Sequence, residues 1–151
     1  MAGTSGTTAP APGRTRSRSP GLYGAYHWTL GVFLVCGAVQ VFLAGLGVFP
    51  AGDGPGIDPH RWFALVLAGI AFVAVVLAAL ARAGGRAIGL CVLLFVLVFL
   101  VQGFLAVWGR EQSAWFGGLH ALDGLLIIGL AGFLFGSSAP GRPAVSPPSA
   151  P

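Results

Sequence analysis

Four apolar stretches, approximately 28–49, 62–81, 87–108 and 115–135, fill the middle of this chain, and none contains Pro, Lys, Arg or Glu. Each is close to the ~20 residues a helix needs to cross the hydrocarbon core of a bilayer. Lipid offers no partner to backbone amides and carbonyls, so such stretches satisfy them internally by coiling into helices. Barrel strands would alternate in polarity every second residue, and these runs of Leu, Val, Ala and Gly do not. Charge content agrees: 8% of the 151 residues are charged, against about 25% in a soluble domain. The fold class that follows is an all-α membrane protein, an up-down-up-down four-helix transmembrane bundle.

The ends are different material. Residues 1–20 are Ala, Gly, Thr, Ser and Pro with Arg14, Arg16 and Arg18, and residues 137–151 read SSAPGRPAVSPPSAP. Neither can bury enough apolar surface to offset the entropy of ordering, so both are expected to be disordered tails flanking a transmembrane domain at 21–136. The first apolar stretch is too long for a cleavable signal and is read as a retained span. Orientation rests on arginine, because the chain has no lysine. Arg14, Arg16, Arg18, Arg82, Arg86 and Arg142 fall on the side of the termini, against Arg61 and Arg110 on the other. The positive-inside bias puts both termini in the cytoplasm of a bacterial cell, with the chain multi-pass in its plasma membrane. Arginine placed for topology also accounts for the basic balance, and no interleaved basic and aromatic surface suggests a nucleic-acid partner.

Cys36 and Cys91 both lie in spans, about eleven and four residues from the helix starts, a depth difference of roughly 10 Å. A disulfide needs Cα atoms within about 7 Å, so two free thiols are expected. No Cys/His cluster, phosphate-cradling glycine loop or nucleophile elbow is present in the sequence.

One phrase is written twice. VQVFLAGLG at 39–47 returns as VQGFLAVWG at 101–109 with six of nine positions identical, and His60 and His120 follow the two copies. The halves 28–81 and 87–135 are therefore two copies of one helical hairpin, related by an axis along the membrane normal. In an up-down-up-down bundle the second and fourth helices are diagonal, so the repeat aims His60 and His120 at each other across the bundle. Gln40 and Gln102 would line the same layer. Each residue also has an ordinary role. Membrane glutamines commonly hydrogen-bond between helices, the glycines at 31, 37, 45 and 47 suit close helix packing, and His60 follows an Asp58-Pro59 start resembling an N-cap and N1 pair. His120 lies deeper, with Asp123 one turn on, and an intramembrane ionisable residue points to function. His27 falls with Tyr23, Tyr26 and Trp28 in an interfacial aromatic belt.

These phrases resemble heme A synthase, whose two four-helix halves each carry a histidine pair on their second and fourth helices. Gln40-Val41-Phe42-Leu43-Ala44-Gly45 and Gln102-Gly103-Phe104-Leu105-Ala106 are similar to the phrase ending its odd helices. His60-Arg61 looks like its second-helix pair and Leu119-His120 like its fourth-helix position. The resemblance covers one half only, across 28–135. It implies heme ligation by His60 and His120, with Arg61 as a propionate partner. Ile57 stands where the synthase has a glutamate, and the outer loops carry no cysteine, so its oxidation chemistry is not implied. The chain also resembles a small actinobacterial family of four-helix membrane proteins of unknown function, in length and in the DxHR start of the second helix.

The expected function is therefore b-type heme binding by two histidines, for electron transfer or heme handling, with Asp123 orienting His120 and a membrane redox partner or quinone as the counterpart. A cofactor-free small subunit or assembly factor is the alternative, and a quinone-binding or proton-linked carrier using His120 and Asp123 is another. One difficulty stands against shared ligation. His60 opens its helix while His120 is about seven residues past Ser113, a mismatch of roughly 8 Å in depth if the helices begin level. The topology is checked by reporter fusions at Ala139 and Gly54, which should report opposite compartments. Equal signals from the two would sink the four-span reading.

Overall fold

The computed structural model describes residues 19–49 and 56–139. Four helices account for nearly all of them: α1 (Pro20–Val48), α2 (Asp58–Leu80), α3 (Gly85–Glu111) and α4 (Ala114–Ser137), each long and apolar enough to cross a membrane. Helix α1 packs on α2 and α4, and α3 packs on the same two. Among the described residues the backbones of α1 and α3, and of α2 and α4, stay apart, as a square up-down-up-down bundle requires. Most of the expected tails, at 1–18 and 140–151, lies outside the described residues. Ser137 and Ser138, placed in the second tail by sequence, are instead the last residue of α4 and its C-cap, and Ser138 is buried.

The hairpin repeat appears in the packing residue by residue. In α2 and α4 the residues facing the core pair at an offset of sixty: Leu67 with Ile127, Ala71 with Ala131, Ala74 with Leu134, Ala78 with Ser138. In α1 and α3 the offset is sixty-one near the chain termini, where Leu30 and Phe33 match Cys91 and Leu94. It becomes sixty-two further along, where Gln40 matches Gln102. The extra residue is absorbed between them. Residues Leu97–Val101 form a single π-helical turn, in which the Gln102 N–H bonds back to the Leu97 carbonyl. Such a turn is how a helix takes in one residue without breaking its ladder.

Glycines set how closely each hairpin closes. A Cβ on Gly109 would stand 2.9 Å from the Gly117 amide nitrogen and 3.1 Å from its Cα, and one on Gly47 would stand 2.9 Å from the Ile57 Cα. These two crossings are equivalent in the repeat, and in membranes such small-residue contacts are what let helix backbones approach. Gly31 instead makes room for the Phe135 ring of α4, whereas Gly45 faces open space.

Packing is uneven along the bundle. The fully buried side chains, among them Tyr26, Leu30, Phe33, Cys91, Leu94 and Leu134, all belong to the half nearer the termini. There His27, expected in an interfacial belt, is a buried residue of α1. Its Nδ1 is 2.9 Å from the Ser138 hydroxyl and its ring stacks on Phe135 at 4.3 Å. Because the Ser138 hydroxyl donates to the Phe135 carbonyl, it accepts from His27. Both cysteines are free, and the Cys91 thiol donates to the Tyr26 hydroxyl at 3.6 Å. Gly109→Ala should therefore lower thermal stability by about 1–3 kcal/mol, as overpacking against an unyielding backbone does. Gly45→Ala, with nothing to meet, should leave the melting temperature unchanged or raise it. Equal melting curves for the two variants would show that the crossing does not depend on contact at Gly109.

Candidate functional site

A layer of four polar side chains, one per helix, crosses the half of the bundle away from the termini. Gln40 comes from α1, His60 from α2, Gln102 from α3 and His120 from α4, and all four are half-buried. Within each hairpin the glutamine and histidine hold each other twice. The Gln40 amide donates to the His60 carbonyl at 3.0 Å, while the His60 Nδ1 lies 3.1 Å from the Gln40 carbonyl. In the second copy the Gln102 amide donates to the His120 carbonyl at 2.9 Å, and the His120 Nδ1 lies 3.3 Å from the Gln102 carbonyl. A carbonyl oxygen can only accept, so both rings carry their proton on Nδ1. Each Nε2 then keeps its lone pair, and that of His60 accepts from the Gln40 amide at 3.5 Å.

The two rings meet in the middle. Their centroids are 6.2 Å apart and their planes are inclined at 69°. The depth mismatch expected from helix starts does not arise, because α2 and α4 do not begin level in the repeat. Asp58, the first residue of α2, is equivalent to Gly118, so α4 has already run for one turn. Register is set by the crossing points instead. Each glutamine lies seven residues before the glycine of its crossing, and each histidine three residues after the crossing residue on the returning helix. The first connection is two residues longer, and that is all the difference amounts to.

Two other expected residues fall elsewhere. Arg61 is exposed, and its guanidinium is 3.5 Å from the Asp58 carboxylate one turn earlier. Asp58 itself is the first residue of α2, not a side-chain cap. Asp123 does not orient His120, because the ring nitrogen it was expected to hold is bonded to the Gln102 carbonyl. Its Oδ2 is buried with no hydrogen-bond partner, and the residue lines a groove between α3 and α4 with Leu105, Leu119 and Leu122. The one other buried side-chain oxygen or nitrogen without a partner, among the described residues, is Oε1 of Gln40. The Ser113 cap is present, its hydroxyl accepting from the Trp115 N–H at 3.3 Å.

Sequence reasoning missed the π-helical turn just ahead of Gln102. The signal was there in the repeat itself, as a one-residue change of offset between the two halves of α3.

The tautomers are open to direct measurement. Imidazole 15N shifts of the ligand-free protein should show His60 and His120 protonated at Nδ1. Gln40→Leu should keep that tautomer, since the acceptor is the main chain of residue 40 and not its amide. Nε2-protonated rings in the wild-type protein would overturn the assignment.

Comparison with known proteins adds one finding. A model described as a family of unknown function (DUF6220) matches residues 40–109, from the first glutamine through the second glycine crossing, and so takes in Gln40, His60 and Gln102. No curated protein and no solved structure matches the chain. The resemblance to heme A synthase gains no support from these comparisons, and the family to which residues 40–109 are similar is one without an assigned function.

Proposed function

We propose that this four-helix membrane protein holds one b-type heme between His60 and His120 and serves electron transfer or heme handling in the bilayer. The observation that carries the reading is the pair of neighbouring imidazoles, their centroids 6.2 Å apart, each with Nδ1–H tied to a main-chain carbonyl so that Nε2 keeps its lone pair. Holding the far ring nitrogen is the usual device for orienting a metal-ligating histidine. Separation fits as well. With metal–imidazole bonds near 2 Å and ring nitrogens ~1 Å from their centroids, two axial rings stand roughly 6 Å apart, and these stand 6.2 Å apart.

The donor set favours a porphyrin over a bare ion. Among the described residues no three His, Cys, Asp or Glu side chains converge to enclose a metal, and a closed structural site usually takes four protein ligands. A porphyrin brings the remaining ligands itself. His60 and His120 would hold the iron, and the group would supply one-electron exchange. The side chain that must yield is Gln40, whose amide nitrogen stands 3.5 Å from the His60 Nε2. Swinging aside breaks its amide hydrogen bond to the His60 carbonyl, while its Oε1 has no partner to lose. The large fully buried side chains lie in the other half of the bundle, so none of them stands in this layer.

A cofactor-free role in helix pairing is favoured by one observation, that the two clasps satisfy their own donors. The visible spectrum separates the readings. Protein purified after expression with added hemin should show a Soret band with low-spin bis-imidazole features. His60→Ala and His120→Ala should each abolish or convert it, and His27→Ala should leave it intact. A folded wild-type protein with no Soret band would leave the helix-pairing role in its place.

A further inference from the structure

The groove between α3 and α4 is not used by the site above. It has a volume of about 770 Å3 and is walled by Leu105 of α3 and by Leu119, Leu122, Leu126 and Gly129 of α4, with Asp123 as its one acidic group. Leu122 and Leu126 are 62% and 58% exposed, so the groove opens sideways to the hydrocarbon. It is an open groove whose lining is almost wholly apolar, with space for an elongated molecule lying along the helices.

Asp123 is the anomaly. The residue is 9% exposed and its Oδ2 has no partner. An unpartnered carboxyl in an apolar setting is costly in either protonation state. The fold does not ask for it, because the equivalent position in the first hairpin is Phe63, sixty residues earlier. A group that weakens the bundle and has no counterpart in the repeat points to a ligand.

Depth decides which kind. Asp123 is the tenth residue of α4, ~14 Å along a helix about 36 Å long, so its carboxyl lies within about 5 Å of the helix midpoint. Phospholipid headgroups begin roughly 15 Å from the bilayer centre and do not reach it. What reaches it is a molecule whose hydrogen-bonding head is itself lipid-soluble, with an oxygen to pair with the carboxyl and an apolar body to lie along the leucines. We infer that the groove binds the head of an isoprenoid quinone or quinol, with Asp123 as its hydrogen-bonding partner. The inference goes beyond the heme reading and stands without it.

The test is photolabelling of the full chain in phosphatidylcholine nanodiscs with an azido-benzoquinone, mapped by peptide mass spectrometry. Labelling should concentrate on residues 105–108 and 119–129 and be displaced by decylubiquinone. Asp123→Leu should reduce it about fivefold or more, the worth of one hydrogen bond, whereas Asp123→Asn should retain most of it. Since the leucine variant removes a group without a partner, it should melt at or above the wild-type temperature. Labelling that is diffuse, or unchanged in Asp123→Leu, would overturn the site. So would a leucine variant that melts well below wild type, because the carboxyl would then have a structural partner. None of these readouts needs a heme, so a missing Soret band leaves this result intact.

Discussion

A polar side chain at membrane depth has only its neighbours to bond to, and the rest of this bundle follows from how two glutamines meet that constraint. Each reaches across its own hairpin to the carbonyl of a histidine, and each histidine returns a hydrogen bond to the carbonyl of its glutamine. Four bonds thus lock the crossing angle and register of both hairpins in hydrocarbon, where helices have no hydrophobic drive to associate. Two of the four, those made by Nδ1, also fix the ring tautomers. Helix pairing and the presentation of two basic nitrogens are one interaction seen from two sides.

The division of the bundle into two unlike halves follows from what fills each. Toward the termini, Ala71, Ala74 and Ala78 of α2 let Leu30, Phe33, Leu94 and Leu134 close around a packed interior. Three polar contacts sit inside that packing without disturbing it: His27 with Ser138, the Ser138 hydroxyl with the chain of α4, and Cys91 with Tyr26. Toward the other end the glycine crossings draw each hairpin tight, while the space between hairpins is occupied by half-buried amides and imidazoles. One end is thus closed by apolar packing, and the other is held by paired hydrogen bonds.

Much of this was legible in the residues. Spans with no Pro, Lys, Arg or Glu could only be helices, and the duplicated phrase placed His60 and His120 on diagonal helices facing one another. The glycines at 31, 37 and 47 were readable as packing contacts. What stayed hidden has a common cause. A membrane helix is apolar on every side, so periodicity cannot say which face looks inward, and neither the burial of His27 nor the groove-facing place of Asp123 is written in the pattern. Helix starts were a poor ruler for the same site, because α4 runs a turn before the point equivalent to the start of α2. The π-helical turn left no trace in composition and shows only when the two copies are laid over each other.

That the crossings and clasps carry the register, and not the ends of the helices, frees the connections outside them. The chain from Gly47 to Ile57 is two residues longer than that from Gly109 to Gly117, yet the two histidines arrive at matching positions. Loop length is thereby uncoupled from site geometry. Drift in the length of the segments beyond the glycine contacts leaves the polar layer beneath at the same spacing. Closure entropy grows only slowly with length, so such drift costs little.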